Sequence, residues 1–360
     1  MEMLNGVSTA ESTASNAPHR ATAAVDQDRC SHPSDDLLYA LRQARRPLVV
    51  AHVTPDADAV GAVLALAEGL RRIGCSPTAG LAPARTAAKL RFMFELAAEV
   101  PLADTWTDAD HDAVIVLDTA GEKRIQIEPK LPPDPDIVVI NIDHHFTNTL
   151  FGRYRWVDPD ATSTSEMIFR LLRILGVELT PAIASLLYAG LYGDTGGFSY
   201  PNTTAAVLHA AGDLVRAGAD VSRVGEQLCR SQTRSDFELL RRVYDHTAVT
   251  ADGRIAYSFI TLQDVAESGC TADDIDDQVS VPRALKGVRM ALLFSEAQPG
   301  IVRVNLRGEG DTSVVEIAQR FGGGGHRQSA GVRLRGRSLE EAIREVLAAA
   351  AEHLDRPETA

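Results

Sequence analysis

Three short, uninterrupted apolar runs constrain the fold of this chain more than any other feature of its sequence. They lie at 48–51, 113–117 and 137–140, and an Ala/Leu/Val-rich segment at 59–73 has the length and spacing of a helix. Strands that are apolar on both faces are typical of parallel sheets, which are covered on both sides. Strands that alternate with helices favour such a sheet, because each parallel connection needs a crossover. We therefore predict an α/β fold with a parallel sheet flanked by helices.

The pattern changes after residue 163. The segment 163–246 is mainly helical, and a turn signal at 250–253 separates it from a region of shorter elements. In that region we predict strands at 254–260, 288–294, 301–306 and 331–335, and helices at 313–321 and 338–354. The spacing of a capping box at a helix start occurs in Ser163 with Glu166, Ser313 with Glu316, and Ser338 with Glu341. The chain is thus expected to form a disordered tail at 1–34, a larger domain at 35–246 and a smaller domain at 254–354.

Composition and charge exclude several classes of protein. With 45% hydrophobic and 24% charged residues, the chain has the usage of a globular protein. Its formal net charge of −13 argues against a protein that coats long nucleic acid through a basic surface. The four cysteines lack metal-binding spacing, which indicates a reducing, cytoplasmic compartment. No apolar stretch reaches the roughly 18 residues that a membrane-spanning helix needs, so we expect no membrane partner.

Carboxylate and imidazole side chains follow each of the three apolar runs. They are His52, Asp56 and Asp58 after the first run, Asp118 after the second, and Asp143, His144 and His145 after the third. A further carboxylate, Asp194, lies in a Gly-rich turn at 193–197. Because parallel strands end at one edge of a sheet, we expect these groups to converge there. The set suits two divalent ions, with Mn²⁺ preferred because imidazoles join the carboxylates. Taken singly, each Asp has the alternative role of a helix N-cap.

A run of four glycines at 322–325, followed by His326, is a second notable segment. Such a run is often a flexible linker. Here a capped helix precedes it and a strand follows, so we predict a turn between ordered elements. Its backbone N–H groups can approach an anion closely, because no side chain intervenes. His326 has the alternative of being a solvent-exposed loop residue.

In their order and spacing, these motifs resemble those of the DHH phosphoesterase superfamily. The matching segments are 52–61, 116–120 with Arg124, 143–145, 191–198, and 321–331, the last resembling the GGGH signature of the DHH-associated domain. The resemblance covers about 35–350. The compact form, without added nucleic-acid-binding or membrane domains, is similar to the branch that combines oligoribonuclease and 3′-phosphoadenosine-5′-phosphate (PAP) phosphatase activities.

The resemblance implies an architecture and a role for each matching residue. The domain at 35–246 would be the DHH catalytic domain, and that at 254–354 a substrate-binding α/β domain with a mixed sheet, with the active site in the cleft between them. His52 and Asp56 would hold one metal, Asp58, His144 and Asp194 the other, and Asp118 would bridge them. His145 would contact the scissile phosphate and donate a proton, and Asp143 would orient an imidazole. The predicted substrate contacts are Arg307, Gly323, Gly324, Gly325 and His326.

The implied function is metal-dependent hydrolysis of short single-stranded RNA to mononucleotides, of PAP to AMP, or of both. Two alternatives stay open: a phosphodiesterase for linear dinucleotides such as pGpG, and a metal-bound nucleotide sensor without turnover. Residues 283–337 carry a local charge of +6, which leaves −19 for the remainder. This distribution favours a cleft that admits a short nucleotide and rejects long duplexes. A homodimer is compatible with the sequence.

The sequence departs from the family pattern near two of these motifs. Thr54 and Ala57 stand where the first motif usually has Asn and Gly, and Asn305 replaces a Ser two residues before Arg307. None of the three is an expected metal ligand. Because Ala does not readily adopt positive φ, we expect the turn around Ala57 to be the place where backbone geometry differs.

Overall fold

The computed structural model describes residues 31–105, 110–130, 134, 136–230, 233–270, 275–325 and 327–355. Most of the predicted tail at 1–34 lies outside these residues. Ser34, its last residue, is the N-cap of the first helix, and its hydroxyl accepts from Leu37 N. Two sheets organise the chain that follows.

The first sheet has five parallel strands in the order β2-β1-β3-β4-β5. Their bounds are β1 (Pro47–Val50), β2 (Thr78–Gly80), β3 (Ala113–Leu117), β4 (Val138–Asp143) and β5 (Tyr154–Val157). The three apolar runs of the sequence are β1, β3 and β4, which confirms the predicted parallel sheet. After β1 the chain forms β2 along one edge of β1, and it then crosses over to form β3 along the other edge. Sheets with this strand order bind ligands at that switch between β1 and β3.

The helices are arranged around the two sheets in chain order. They are α1 (Asp35–Gln43), α2 (Ala57–Arg72), α3 (Phe92–Leu96), α4 (Thr164–Ile174), α5 (Pro181–Asp194), α6 (Ala205–Arg216), α7 (Val221–Cys229), α8 (Arg234–Asp245), α9 (Leu262–Ser268), α10 (Ser280–Arg283), α11 (Val315–Arg320) and α12 (Leu339–Asp355). Within the described ranges, even the 17-residue α12 lacks the combination of length and apolarity that crossing a membrane requires, as do the other helices.

Helix α2 is the centre of the first domain. It is buried from Ala57 to Leu70, and it packs with the sheet residues Val49 and Ile115 in one apolar cluster. A Cβ on Gly61 would lie 2.5 Å from the Leu186 carbonyl oxygen, so the glycine permits α2 and α5 to approach closely. Close packing of this kind holds the start of α2 in one place relative to the sheet edge.

The opposite face of the first sheet is covered by loops. There Val50 and Val116 form a smaller cluster with Ile125, Ile127 and Phe151, none of which belongs to an α-helix. The described helices of the first domain thus pack mainly on one face. The loop after β3 covers the other face of the sheet. This position brings the backbone of that loop beside the end of β1.

The second sheet has six strands in the order β10-β11-β9-β8-β7-β6. Their bounds are β6 (Ala248–Val249), β7 (Ile255–Ile260), β8 (Met290–Gln298), β9 (Ile301–Gly308), β10 (Gly324–Gly325) and β11 (Ser329–Arg335). Only β7 and β8 pair in parallel, which confirms the predicted mixed sheet. Helix α12 packs on one face, with Val346 in the same core as Val304.

Helix α8 packs with the second sheet, although the sequence-based boundary places it in the first domain. Its Leu239 and Val243 are buried in a cluster with Ile260 and Leu293. The hydroxyl of Ser258 on β7 donates to the carbonyl of Val243 at 2.7 Å. We propose that the second domain begins at α8.

The three predicted capping boxes differ in their geometry. Glu341 N donates to Ser338 Oγ and Ser338 N to the Glu341 carboxylate, a complete box. Ser163 caps α4 by accepting from Glu166 N, but the Glu166 carboxylate accepts from Thr162 N instead. At α11 the box is wrong, because the helix begins at Val315 and its N-cap, Val314, makes no side-chain bond.

Candidate metal centre

The loops that follow β1, β3 and β4 meet at the carboxyl edge of the first sheet. His52, just after β1, forms a β-bridge with Ile125 of the loop after β3. Val53 N donates to the Arg124 carbonyl at 2.7 Å, which joins the same two loops. Asp118 follows β3 directly, and Asp143 ends β4. The predicted convergence of strand ends is therefore present in the fold.

Asp56 is both an N-cap and a member of the cluster. Its Oδ1 accepts from Asp58 N and Ala59 N, each at 3.0 Å, which starts α2. The second carboxylate oxygen is not used by these bonds. The cap role and a ligand role are thus compatible in one side chain, since a carboxylate has two oxygens.

The strained residue in the first motif is Thr54 and not Ala57. Ala57 is the first residue of α2, whereas Thr54 has φ 54°. Ala57 is helical, so the Ala that stands in place of Gly needs no positive φ, and the unusual backbone of this turn is at Thr54 instead. Asp118 also has a positive φ of 51°. Backbone strain of this kind is common at functional sites.

Asp58 is held by the first turn of α4. Its Oδ2 accepts from Thr164 N at 2.7 Å and its Oδ1 from Ser165 N at 2.8 Å. The side chain is buried, with 1% of its surface exposed. A helix N-terminus stabilises a carboxylate through these free N–H groups and the helix dipole. Each oxygen of Asp58 is thereby fixed in direction.

Gly190 of α5 makes this arrangement possible. A Cβ there would lie 2.6 Å from Ser165 Cβ and 2.8 Å from Asp58 Oδ1. Sequence reasoning did not identify Gly190, Thr164 or Ser165 as part of the site. The available signal was a glycine inside an Ala/Leu-rich helix. Glycine destabilises a helix interior by about 1 kcal/mol relative to Ala, so its presence there indicates that close packing requires it.

Asp143 anchors the loop after β4. Fully buried, it accepts from His145 Nδ1 at 2.6 Å and from Asn148 Nδ2 at 2.6 Å. Asn148 Nδ2 also lies 2.8 Å from Asn141 Oδ1. Sequence reasoning missed both asparagines, although Asn141 interrupts an apolar strand and a buried polar group needs a partner. Asp143 thus orients an imidazole, the role that the family resemblance predicts for it.

The predicted ligands form three groups of three side chains. Within each group, one oxygen or nitrogen atom from each side chain lies within 4.8 Å of the other two. The groups are His52, Asp56 and Asp118; Asp58, His144 and Asp194; and Asp118, His144 and His145. The first two divide the side chains as the resemblance predicts for two metals. Asp118 belongs to the first and third groups and is absent from the second, to which the third is linked through His144.

Asp118 presents its two oxygens to different neighbours. His52 Nε2 lies 3.4 Å from Oδ2, and His144 Nε2 lies 3.5 Å from Oδ1. His144 Nε2 is also 3.4 Å from Asp194 Oδ2. The hydroxyl of Thr164 donates to Asp118 Oδ1 at 3.1 Å, so α4 orients this carboxylate too.

The charges in the cluster are strongly coupled. Burial disfavours the charged form of Asp118, but hydrogen bonds from His144 and His52 outweigh it and hold its pKa well below the usual range. Burial likewise opposes charge on His52, yet the bond to Asp118 and the charge of Asp56 raise its pKa to about 9. The pKa of His144 is raised well above its usual value, because Asp118 and Asp194 outweigh its burial.

Two carboxylates of the cluster have raised pKa values. Burial, and next the charge of Asp118, raise the pKa of Asp58 to about 7, although α4 donates two N–H bonds to it. Burial and the charge of Asp58 raise the pKa of Asp194 well above its usual range. Buried carboxylates packed among imidazoles are stabilised by cations at their centre. The cluster therefore has the chemistry of a divalent-metal site.

Three of the predicted substrate residues, Arg307, Gly324 and Gly325, lie on the sheet of the second domain. Arg307 of β9 pairs with Ser329 of β11, whose other neighbour is β10. Cβ atoms on Gly323 and Gly325 would lie 2.8 Å from Val332 Cβ and 2.6 Å from Ala330 Cα, so both positions need glycine. The last two glycines of the run, Gly324 and Gly325, form the edge strand β10 beside β11, so the run joins ordered elements and is not a linker. His326 lies outside the described residues.

Comparison with known families and proteins gives consistent results. The N-terminal domain of the DHH family matches residues 46–191, and the DHHA1 domain matches residues 252–354. The bifunctional oligoribonuclease and PAP phosphatase NrnA of Thermus thermophilus is 33% identical over 318 residues, which cover 88% of this chain and 93% of that protein. The protein of the same name from Bacillus subtilis is 32% identical over 284 residues, 78% of this chain and 86% of its own.

A solved structure shows the same fold. The crystal structure of an exopolyphosphatase-related protein from Bacteroides fragilis has a TM-score of 0.78 and 24% sequence identity to this chain. The match covers 88% of this chain and 95% of that one.

Proposed function

The chain belongs to the DHH family and carries a DHHA1 domain after its DHH domain, and from this premise we propose that it is a metal-dependent phosphoesterase. Its substrates are short oligoribonucleotides, hydrolysed to mononucleotides, and PAP, hydrolysed to AMP. The observation that carries the proposal is the position of Asp118 at the strand switch, with its Oδ2 3.4 Å from His52 Nε2 and its Oδ1 3.5 Å from His144 Nε2. The names of the two NrnA relatives support both substrates.

Two divalent ions fit the residues present. His52, Asp56 and Asp118 would hold one, and Asp58, His144 and Asp194 the other, with Asp118 shared. When bound, such ions supply positive charge to phosphoryl oxygens and a nucleophile at neutral pH. We propose Mn²⁺, because imidazoles accompany the carboxylates.

His145 is suited to a role toward the substrate. Its Nδ1 lies 2.6 Å from Asp143 Oδ1, which fixes the ring beside the cluster. Asp143 holds the ring in one orientation. We propose that His145 contacts the scissile phosphate and donates a proton to the leaving oxygen.

The second domain would bind the free end of the substrate. Arg307 lies on the sheet face opposite the Val304 core, and Gly323, Gly324 and Gly325 follow α11 at the sheet edge. We propose that these residues and His326 contact the terminal nucleotide. The local charge of +6 over 283–337, within a chain of −13, supports entry of short single strands and rejection of long duplexes.

The test is hydrolysis of PAP, pGpG, a ladder of short 5′-phosphorylated RNAs and a long RNA duplex, with Mn²⁺ or Mg²⁺. We expect turnover of the short RNAs and PAP and none of the duplex. Asp118→Asn should lower the rate at least about 100-fold while the protein stays folded. The matched control is Asp36→Asn on the exposed side of α1, which should leave the rate unchanged.

Several outcomes would contradict the proposal. Near-full activity of Asp118→Asn would exclude the shared-carboxylate site. Nucleotide binding without hydrolysis in either metal would indicate a sensor. Turnover of pGpG alone would make the chain a dinucleotide phosphodiesterase.

We also propose a cytoplasmic location. Cys75 and Cys229 are free thiols, which is typical of a reducing compartment. A homodimer stays a prediction.

A further inference from the structure

Phe146 combines unusual exposure with a position beside the metal centre. The side chain is 69% exposed, more than any other large apolar side chain in the described part of the chain, and it directly follows His145. A single exposed apolar residue needs no explanation by itself. An exposed aromatic ring one residue from His145, the imidazole proposed to contact the phosphate, does need an explanation.

The turn that carries Phe146 is firmly held. Asn148 N donates to the His145 carbonyl at 3.1 Å, which closes the turn around Phe146. The Asn148 side chain bonds Asp143, and its Oδ1 accepts from Leu150 N at 2.6 Å. The ring is therefore presented by a backbone that is anchored to the sheet.

A turn with two cations lies beside it. Thr149 N donates to the Ala120 carbonyl at 2.8 Å, so the loop of Phe146 contacts the loop after β3. In that loop, Lys123 and Arg124 are exposed, next to one exposed carboxylate, Glu122. The Arg124 backbone is tied to Val53 next to His52, so these cations belong to the rim of the metal centre.

We propose that Phe146 is a stacking platform for one base of the substrate, namely a base in a nucleotide that flanks the scissile phosphate. Lys123 and Arg124 hold the outer phosphate of that nucleotide. Stacking on an aromatic ring accepts any base, and nearby cations follow the backbone. This subsite belongs to the first domain. It is distinct from the substrate contacts that we propose for the second domain. The inference rests on the proposed phosphoesterase function.

The activity test uses Phe146→Ala, Phe146→Trp and the substrate pApA. Phe146→Ala should lower kcat/KM about tenfold, and Phe146→Trp should retain it, because stacking needs only an aromatic face. The matched control is Tyr39→Ala, which removes an exposed ring (64%) on α1 and should have no effect. Two abasic analogues of pApA, each lacking one base, complete the set.

The abasic analogues separate stacking from a general defect. On the analogue that lacks the stacked base, wild type and Phe146→Ala should differ by no more than about twofold, since the interaction is absent from both. On the other analogue the tenfold difference should persist. An equal loss on both analogues would show that Phe146 only positions the loop, and would overturn the proposal.

A binding measurement provides a readout without turnover. A dinucleotide with a non-hydrolysable phosphonate linkage carries fluorescent 2-aminopurine at either base. Wild type should quench the stacked position, and Phe146→Ala should not. Lys123→Ala with Arg124→Ala should lower the slope of log Kd against log salt by about 0.7 for one phosphate contact on a single strand.

Failure of this inference differs from failure of the proposed function. If wild type hydrolyses pApA and Phe146→Ala matches it on every substrate, the stacking role is wrong and the phosphoesterase stands. If wild type hydrolyses none of the substrates, the function is wrong, and quenching still decides whether Phe146 binds a base.

Discussion

At the residue scale, Thr54 is a point of backbone strain in the first motif. It has φ 54°, a left-handed conformation that a β-branched residue adopts at a cost. The family resemblance has Asn at this position, and Asn tolerates that region better than most residues. Thr54 is exposed, and its hydroxyl donates to the Val53 carbonyl at 2.6 Å.

We expect Thr54→Asn to stabilise the protein by about 1 kcal/mol, because it relieves the strain without a packing change. Denaturant unfolding with a chelator present measures this. The control Thr54→Val keeps the β-branch and should give no gain. A Thr54→Asn protein that is less stable than wild type would contradict the assignment of strain to this residue.

Gly190 is the second residue whose backbone role can be tested. We expect Gly190→Ala to cost about 1–3 kcal/mol and to weaken metal binding, since its Cβ meets Ser165 and Asp58. Adding Ser165→Gly should recover part of both losses, because Ser165 Cβ is one of the atoms met. Calorimetry with metal and thermal unfolding report the two effects.

The control for Gly190 is Gly212, a glycine of α6 whose Cβ would meet nothing within 4 Å. Gly212→Ala should raise stability by about 0.5–1 kcal/mol through helix propensity and leave metal binding unchanged. If Gly190→Ala behaved in the same way, close packing at Asp58 would not be required.

At the element scale, α4 links helix capping to the metal centre. Ser163 caps the helix, and the next two residues donate their N–H groups to Asp58. A remote helix, α6, has a comparable cap in Thr204, which accepts from Val207 N at 3.2 Å. The two caps allow a matched comparison.

We expect Ser163→Ala and Thr204→Ala each to cost about 1 kcal/mol of stability. Only Ser163→Ala should also weaken metal binding, because the first turn of α4, and not that of α6, donates N–H groups to Asp58. Urea unfolding and metal titration separate the two effects. Equal metal affinities in the two variants would show that α4 does not position Asp58.

At the scale of the whole molecule, the protons held by the cluster couple stability to pH and metal. The pKa of His52 is raised to about 9, so the stability it contributes is fully present below its unfolded value near 6.5 and is lost as pH rises toward 9. The pKa of Asp58 is raised to about 7, so the folded metal-free protein also loses stability as pH rises from about 4 to 7. Both pKa shifts therefore lower the stability of the metal-free protein as the pH rises.

We therefore expect the metal-free protein to become less stable from pH 6 to pH 9. Metal ligands must be deprotonated, so the ions should bind more tightly over the same range. The difference in Tm between metal-loaded and chelator-treated protein should grow with pH. A constant or shrinking difference would contradict the proton assignment.

The sequence predicted the central strands because continuous apolar runs are a strong local signal. It missed β2 (Thr78–Gly80) and β5 (Tyr154–Val157), the two edge strands, which have three and four residues. It also placed α8 in the first domain, since helical periodicity shows an apolar face but not which sheet that face meets.

The sequence by itself determined the α/β class, the carboxyl-edge location of the cluster and the Asp and His residues that meet there. These depend on local patterns: apolar runs, and the Asp and His residues that follow them. Only the tertiary structure decided that Asp58 is held by α4, more than 100 residues away in sequence, and that Gly190 leaves room for it. Such contacts depend on how close-packed helices meet, and single-residue spacing carries no information about that packing.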